Sequence, residues 1–294
     1  MSCNNSSANK KNPQFPAWLK RPIAFSGKQK NIHENIHAFG LHTVCVEAKC
    51  PNRSECYSKG TATFLILGDT CTRFCSFCSV NHGIPESLDT AEPLKILNAV
   101  KTLNLKHVVI TSVTRDDLLD GGASIYIETI ARLKQSIPHV TVEVLVPDFK
   151  GERTVITSVI EAKPDIFNHN IETVPRLYSK IRPQAEYRRS LEVLSIAAEN
   201  GLTAKSGIMV GLGESPDEVM QVMRDLHSTG CKILTIGQYL QPSKRQTEVK
   251  EFISPDQFKA YEKYGYKLGF LSVFAGPFVR SSYMAEKIFE DVPH

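Results

Sequence analysis

What most constrains the fold of this chain is an alternation of strand-like and helix-like runs that begins near Thr61 and continues to about residue 275. Short runs rich in β-branched and aromatic residues recur at 61–68, 106–112, 141–147, 165–171, 203–210, 231–240 and 270–275. Amphipathic stretches separate them, near 92–104, 122–136, 151–162, 187–200, 215–229 and 255–269. One helix start is marked with unusual clarity. Ser215 stands at the cap, Pro216 at the first helical position and Glu218 three residues after the cap. Val219, Val222, Met223 and Leu226 then share a face, and Gly230 closes the helix. Strands that alternate with helices imply a parallel sheet with right-handed crossovers. Six or seven units fall short of a closed eight-stranded barrel, which leaves an incomplete barrel or an open doubly wound sheet. Both gather ligands at the C-terminal ends of their strands.

Immediately after the first strand comes Cys71-Thr72-Arg73-Phe74-Cys75-Ser76-Phe77-Cys78, a C-x3-C-x2-C arrangement with Phe77 before the last cysteine. Three closely spaced thiolates are a natural ligand set for an iron–sulfur cluster, and three rather than four leave one metal position open for chemistry. A structural zinc site is the bland alternative. It needs a fourth donor, His82 or an upstream cysteine, and usually two C-x2-C pairs where this stretch has one. A second triplet, Cys45, Cys50 and Cys56, lies upstream in a polar setting with spacing C-x4-C-x5-C. The chain has eight cysteines, and six of them cluster between residues 45 and 78. No apolar signal segment precedes them, so the expected compartment is the cytoplasm, where such groups bind metal more often than they form disulfides. Residues 1 to about 30 read as an extended arm punctuated by Pro13, Pro16 and Pro22, with Trp18 and Phe25 expected to pin it to the body. A short helix over 29–39 would place Ile32, Ile36 and Phe39 on one face.

The formal charge of +4 is far from a nucleic-acid-binding signature, and no apolar run is long enough to span a bilayer, so neither nucleic acid nor membrane is an expected partner. Polar residues at later strand ends are candidate ligand contacts: Thr111, Ser112 and Arg115 after the second strand, Asn168 and Asn170 on the fourth. Strand alternation puts Asn168 and Asn170 on one face and His169 on the other. Glu143 and Lys205 fall within strands, where an inward charge needs a partner that a ligand can supply. Arg182 reads as part of a solvated face. Gly211 and Gly213 lack the third glycine of a phosphate loop and read as a tight turn. Asp116, Asp117 and Asp120 have the look of a magnesium-binding trio, but such runs more often serve turns and helix starts, and no metal is assigned to them. Cys231 reads as a small core residue, and Cys3 has no expected role.

The Cys71–Cys78 spacing, its aromatic and its place in a βα chain together resemble the radical S-adenosylmethionine (SAM) enzymes. The upstream triplet narrows this to a resemblance to the lipoyl synthases. So do Thr111 to Gly122 (TSVTRDDLLDGG), Phe167 to Thr173 (FNHNIET), Val210 to Glu214 (VGLGE) and Arg280-Ser281-Ser282-Tyr283. The likeness runs from about Pro16 to Ala285. It implies an α/β fold, a partial (β/α)6 barrel of TIM type over 61–275, with extensions at 1–60 and 276–294. It implies two [4Fe–4S] clusters. One, on Cys71, Cys75 and Cys78, binds SAM, with Phe77, Thr111, Ser112, Arg115, Glu143, Asn168, Asn170 and Lys205 as cofactor contacts. The other, auxiliary, sits on Cys45, Cys50, Cys56 and a serine, Ser282 in preference to Ser281. The implied reaction inserts two sulfur atoms at C6 and C8 of a protein-bound octanoyl-lysine, with the auxiliary cluster as sulfur source. The implied partners are octanoylated carrier domains (2-oxoacid dehydrogenase E2 subunits and the glycine cleavage H protein), an electron donor such as ferredoxin or flavodoxin, and iron–sulfur carrier proteins. Methylthiotransferases and biotin-synthase-like enzymes share the chemistry but place their extra cysteines differently. A zinc-stabilised RNA-binding module is the alternative of another class.

Overall fold

The computed structural model describes residues 15–20, 36, 38–47, 50, 52, 55–56 and 62–282. Ten strands run in chain order: β1 (His42–Thr43), β2 (Ala62–Ile66), β3 (Thr70–Cys71), β4 (Asn81–His82), β5 (His107–Ser112), β6 (Thr141–Leu145), β7 (Ile166–Asn168), β8 (Thr203–Val210), β9 (Ile233–Gln238) and β10 (Ser272–Gly276). Eight of these form one sheet in the order β1-β2-β5-β6-β7-β8-β9-β10, and β3 pairs with β4. From β2 to β10 every neighbour is parallel. The alternating pattern in the sequence therefore identifies all seven parallel strands. The short antiparallel β1 on the outer side of β2 has no counterpart in that pattern. Among the described residues the sheet stays open between β10 and β1, which makes it a partial barrel.

Six long helices cover the outside: α1 (Glu92–Leu103), α2 (Ala123–Ser136), α3 (Arg153–Glu161), α4 (Tyr187–Glu199), α5 (Pro216–Ser228) and α6 (Pro255–Leu268). Each turns an apolar stripe onto the sheet. In α5 the buried residues are Val219, Val222, Met223 and Leu226, and the Ser215–Glu218 capping box is fully formed. The strands are buried on both faces, as in β2 and β9, so they read as continuous apolar runs. Burial at this scale is the main stabilising term, at roughly 25 cal/mol per Å² of apolar surface removed from water.

Several local expectations change. Trp18 is exposed; Leu19 is buried instead, and Phe15 packs edge-on against Phe252 at 5.6 Å. An indole large enough to anchor the arm stays outside because its smaller neighbour takes the inward position. Phe25 and Cys3 lie outside the described residues, as does most of the 29–39 helix, of which Ile36 is buried. Cys231 is buried just ahead of β9, and its thiol faces the Ala204 and Ile233 carbonyls. No described helix is long and apolar enough to cross a membrane.

Candidate active site at the strand mouth

The loop that follows β2 is fastened on every side. Thr72 donates from both its backbone N–H (3.0 Å) and its hydroxyl (2.9 Å) to the Thr114 carbonyl, and its hydroxyl accepts from the Asp116 N–H (3.0 Å). The Phe74 N–H donates to Gln184 Oε1 at 2.6 Å, and the Ser76 N–H donates to the Ile181 carbonyl at 3.0 Å. Thr247 donates to Ser76 through both its N–H and its hydroxyl, at 2.8 and 2.7 Å, and Gln246 Nε2 donates to the Cys78 carbonyl at 3.1 Å. Beneath the loop, Arg73 is buried and forks onto Asp116 (Nε to Oδ2, 2.7 Å) while also reaching Asp148 at 2.6 Å. Burial by itself would raise the Asp148 carboxyl, but the Arg73 guanidinium outweighs it and holds Asp148 at about 2.

The thiols of Cys71, Cys75 and Cys78 face a cavity of about 190 Å³, together with Phe77, Thr111, Ser112, His169, Asn170, Glu172 and Arg182. The backbone N–H groups of Arg73 and Thr114 point at Cys71 Sγ, at 3.4 and 3.3 Å. Donors aimed at sulfur suit a thiolate that carries charge into a metal. Burial raises the Cys75 thiol and pushes Cys78 up to about 12, so thiolates at these positions need a bound metal to stabilise them. Three thiols that line one cavity are a natural ligand set for a cluster of several irons.

Ser112, His169 and Asn170 line the same cavity, and each has one buried polar atom (Ser112 Oγ, His169 Nε2, Asn170 Oδ1) without a hydrogen-bond partner among the described residues. Uncompensated polar groups inside a protein cost about 1–3 kcal/mol each. His169 bonds the Val146 carbonyl through Nδ1 at 2.8 Å. Burial and the nearby Arg182 charge lower it to about 4, leaving a neutral ring.

Residues 65–226 match the Radical SAM superfamily. A lipoyl synthase of Caldanaerobacter subterraneus is 54% identical over 92% of this chain and 95% of its own length. A lipoyl synthase of Rubrobacter xylanophilus is 51% identical over 94% of this chain and 87% of its own. The chain belongs to the lipoyl synthase family of radical SAM enzymes. Its fold resembles that of methylornithine synthase at 13% identity, with a TM-score of 0.57 over 85% of this chain and 76% of that one. Membership in the radical SAM superfamily carries with it a [4Fe–4S] cluster and SAM as cofactors.

Within this lipoyl synthase site, the residues singled out by sequence divide into two groups. Cys71, Cys75, Cys78, Phe77, Thr111, Ser112 and Asn170 line the cavity, whereas Arg115, Glu143, Asn168 and Lys205 are not among its lining residues. Lys205 and Glu143 are both fully buried and pair with each other at 2.8 and 3.0 Å, and Asn168 Nδ2 donates to Glu143 at 3.0 Å. The inward charges expected to await a ligand thus satisfy one another. Burial would raise Glu143, but Lys205 and His107 hold it at about 2. Arg115 clamps Asp117 and reaches the Leu67 carbonyl at 3.3 Å.

β7 ends at Asn168, and Glu172, with φ of +66°, rejoins β8 through the Gly207 carbonyl. Asn168 and Asn170 keep to one face, beside Lys205 and Gly207 of β8, and His169 lines the cavity together with Asn170. Room for Asn170 comes from Gly207, where a Cβ would lie 2.8 Å from Asn170 Oδ1. Arg182 is also drawn in. Its Nη1 donates to the Asn170 carbonyl (2.9 Å) and the Tyr178 hydroxyl (3.1 Å), on no signal that the sequence carries. Burial raises Glu172 against the opposing pull of Arg182 and Asn170.

The acidic trio splits three ways. Asp116 holds Arg73, Asp117 holds Arg115, and Asp120 accepts from the Gly122 and Ser124 N–H groups, both at 2.9 Å. The Val210–Glu214 motif is a turn whose Gly211 and Leu212 N–H groups are taken by the Glu214 carboxylate, leaving none of these amides for a phosphate. Of the second triplet, Cys45 is buried and Cys50 and Cys56 are half-buried. The Cys56 N–H donates to the Asn52 carbonyl at 2.9 Å, and Asn52 Nδ2 donates to the Phe278 carbonyl. That bond ties the upstream triplet to the segment leading into Arg280, Ser281 and Ser282. The same segment crosses Gly237, where a Cβ would collide with the Val279 carbonyl at 2.1 Å. A second cavity of about 310 Å³ shares Phe77 and Cys78 with the first and is bounded by Met209, Tyr239 and Arg280.

Proposed function

We propose that this chain makes the lipoyl cofactor by inserting two sulfur atoms, at C6 and C8, into the octanoyl chain of an octanoyl-lysine on a lipoyl carrier domain. The observation that carries this reading is the convergence of Cys71, Cys75 and Cys78 with Ser112, His169 and Asn170 on one cavity, in a chain of this family. The three cysteines hold a [4Fe–4S] cluster with one iron left for SAM. Ser112, Asn170 and the neutral His169 take polar groups of SAM, and Arg182 and Glu172 set the charge around it. Asn168, Glu143, Lys205 and Arg115 support the site from below, each through protein partners already in place.

Cys45, Cys50, Cys56 and Ser282 hold the auxiliary cluster, within the extensions at 1–60 and 276–294. When bound, the two clusters and SAM supply a 5′-deoxyadenosyl radical and the inserted sulfur; the protein positions them and keeps out water. A serine oxygen is a harder donor than a thiolate and suits iron less well, which favours release of that iron when sulfur is withdrawn. The second cavity, lined by Cys78 on one side and Arg280 on another, offers the acyl chain a place. Carrier substrates are the E2 subunits of 2-oxoacid dehydrogenases and the glycine cleavage H protein. Ferredoxin or flavodoxin supplies electrons in the cytoplasm, and iron–sulfur carriers rebuild the spent cluster. The test is mass spectrometry of an octanoyl-lysine peptide incubated anaerobically with reduced protein and SAM. A gain of two sulfurs is expected. SAM cleavage with no sulfur gain would sink the reading.

A further inference from the structure

We propose that the outer face of the cysteine loop is the docking surface for an acidic one-electron donor protein, with Phe74 at its centre and Lys180, Lys244 and Arg245 as its cationic rim. This rests on the reading of Cys71, Cys75 and Cys78 as a cluster site. Phe74 lies between two of those cysteines in sequence, yet its side chain turns outward and the residue is 56% exposed. It stacks on His82 at 5.4 Å, and Ile84, two residues further on, is 98% exposed. Apolar side chains on a loop held this rigidly are costly to leave in water unless something covers them.

The flanking segments are fixed by hydrogen bonds already described. Ser76 Oγ donates to the Lys180 carbonyl at 3.1 Å, and Thr247 and Gln246 bond Ser76 and Cys78 from the other side. Lys180, Lys244 and Arg245 are exposed, and their side chains make no ion pair among the described residues. Of the acids near these cations in the chain, Glu186 pairs with Arg189 and Glu248 with Lys250, whereas the exposed Glu86 beside Ile84 makes no ion pair among the described residues. The result is an exposed aromatic centre with a net excess of unpaired positive charge beside it, three cations against Glu86. Charge complementarity of this kind steers encounter and fixes orientation, and electron-transfer complexes are characteristically small and transient. A nucleic acid would find too few cations, whereas an acidic flavin or iron–sulfur protein meets both the apolar and the charged parts. In the complex one electron leaves the donor's reduced centre and enters the cluster behind Phe74, with no proton or bond change on this chain.

The test is calorimetric titration of the reconstituted protein with bacterial flavodoxin and with an acidic ferredoxin, at low and high salt. Binding to at least one donor is expected, weakening steeply with salt. The double variant Lys180→Glu/Arg245→Glu should lose affinity by on the order of tenfold and show a shallower salt dependence. Phe74→Ala should bind more weakly at every salt concentration. With dithionite in place of the protein donor, SAM cleavage by the charge-reversal variant should match the parent, which shows that its fold and cluster are intact. Equal donor affinity in parent and variant would overturn the proposal. So would failure of the parent to bind either donor, or loss of affinity confined to an octanoylated carrier domain. A parent that binds the donor but adds no sulfur under dithionite would break the proposed function instead, leaving the docking surface standing.

Discussion

The two cysteine triplets are held by different parts of the fold. Cys71–Cys78 sits on a loop fastened from three directions by Thr114–Asp116, Lys180–Gln184 and Gln246–Thr247, with the buried Arg73 forked beneath it. Among the described residues the upstream triplet is held from the outer edge of the sheet instead: β1 pairs with β2 just ahead of the buried Cys45, Asn52 Nδ2 donates to the Phe278 carbonyl, and the Ser79 hydroxyl donates to the Glu47 carbonyl at 2.8 Å. A cluster that must hold SAM in one geometry through many turnovers needs a preorganised mount.

The comparison breaks most sharply at the cysteines themselves. Cys75→Ala should abolish both SAM cleavage and sulfur insertion, measured as deoxyadenosine release and peptide mass. Cys45→Ala and Ser282→Ala should remove only sulfur insertion. For Cys45→Ala the iron content should fall from about eight to about four per chain, as expected for the loss of one four-iron cluster. Lipoyl product from Cys45→Ala would end the donor role of that triplet.

Next in size is the mount. Arg73→Ala leaves Asp148 buried without its principal counter-charge, and removing one partner of such a pair costs about 3–5 kcal/mol. The denaturant midpoint should drop accordingly, and Arg73→Lys should recover only part because it cannot fork. Asp148 is held below its ordinary value, so its contribution is present above about pH 4 and fades as pH falls through about 2. Equal acid stability of parent and Arg73→Ala would show that this pairing does not anchor the loop.

Smaller again is the entry to the loop. Glu92 accepts from the Leu67 N–H at 2.8 Å, and burial pushes its carboxyl up to about 7. The unfolded chain ionises first, so the stability Glu92 contributes is greatest below its ordinary value of 4.5 and is lost as pH rises through 7. Glu92→Gln should therefore match the parent near pH 4 and be the more stable near pH 8, by up to ~3 kcal/mol. A melting series across that range checks the sign. Ser215→Ala removes a helix cap remote from both triplets and should cost about 1 kcal/mol with no effect on either activity.

Strand and helix placement was legible because burial on two faces writes long apolar runs, and the Ser215 cap could be located to the residue. The thiol spacing and Phe77 were equally plain. Side-chain direction at strand ends was harder to read. Asn168 and Asn170 share a face, yet only Asn170 lines the cavity, because Asn168 is taken up by Glu143 deeper in the sheet. Arg182 reads as an ordinary surface arginine until the cysteine loop packs on Ile181 and closes over it.

By itself, then, the sequence determined the repeating βα architecture, the three thiols at its first strand mouth and the family to which the chain belongs. These depend on local periodicity and covalent spacing, which the chain carries wherever it goes. Only the tertiary structure decided which polar groups serve ligands and which serve one another. Glu143 and Lys205 are 62 residues apart in the chain, and their charges cancel only because β6 and β8 both face the barrel interior. The upstream triplet and the Arg280–Ser282 segment likewise come from opposite ends and meet only because the folded sheet brings Asn52 to Phe278.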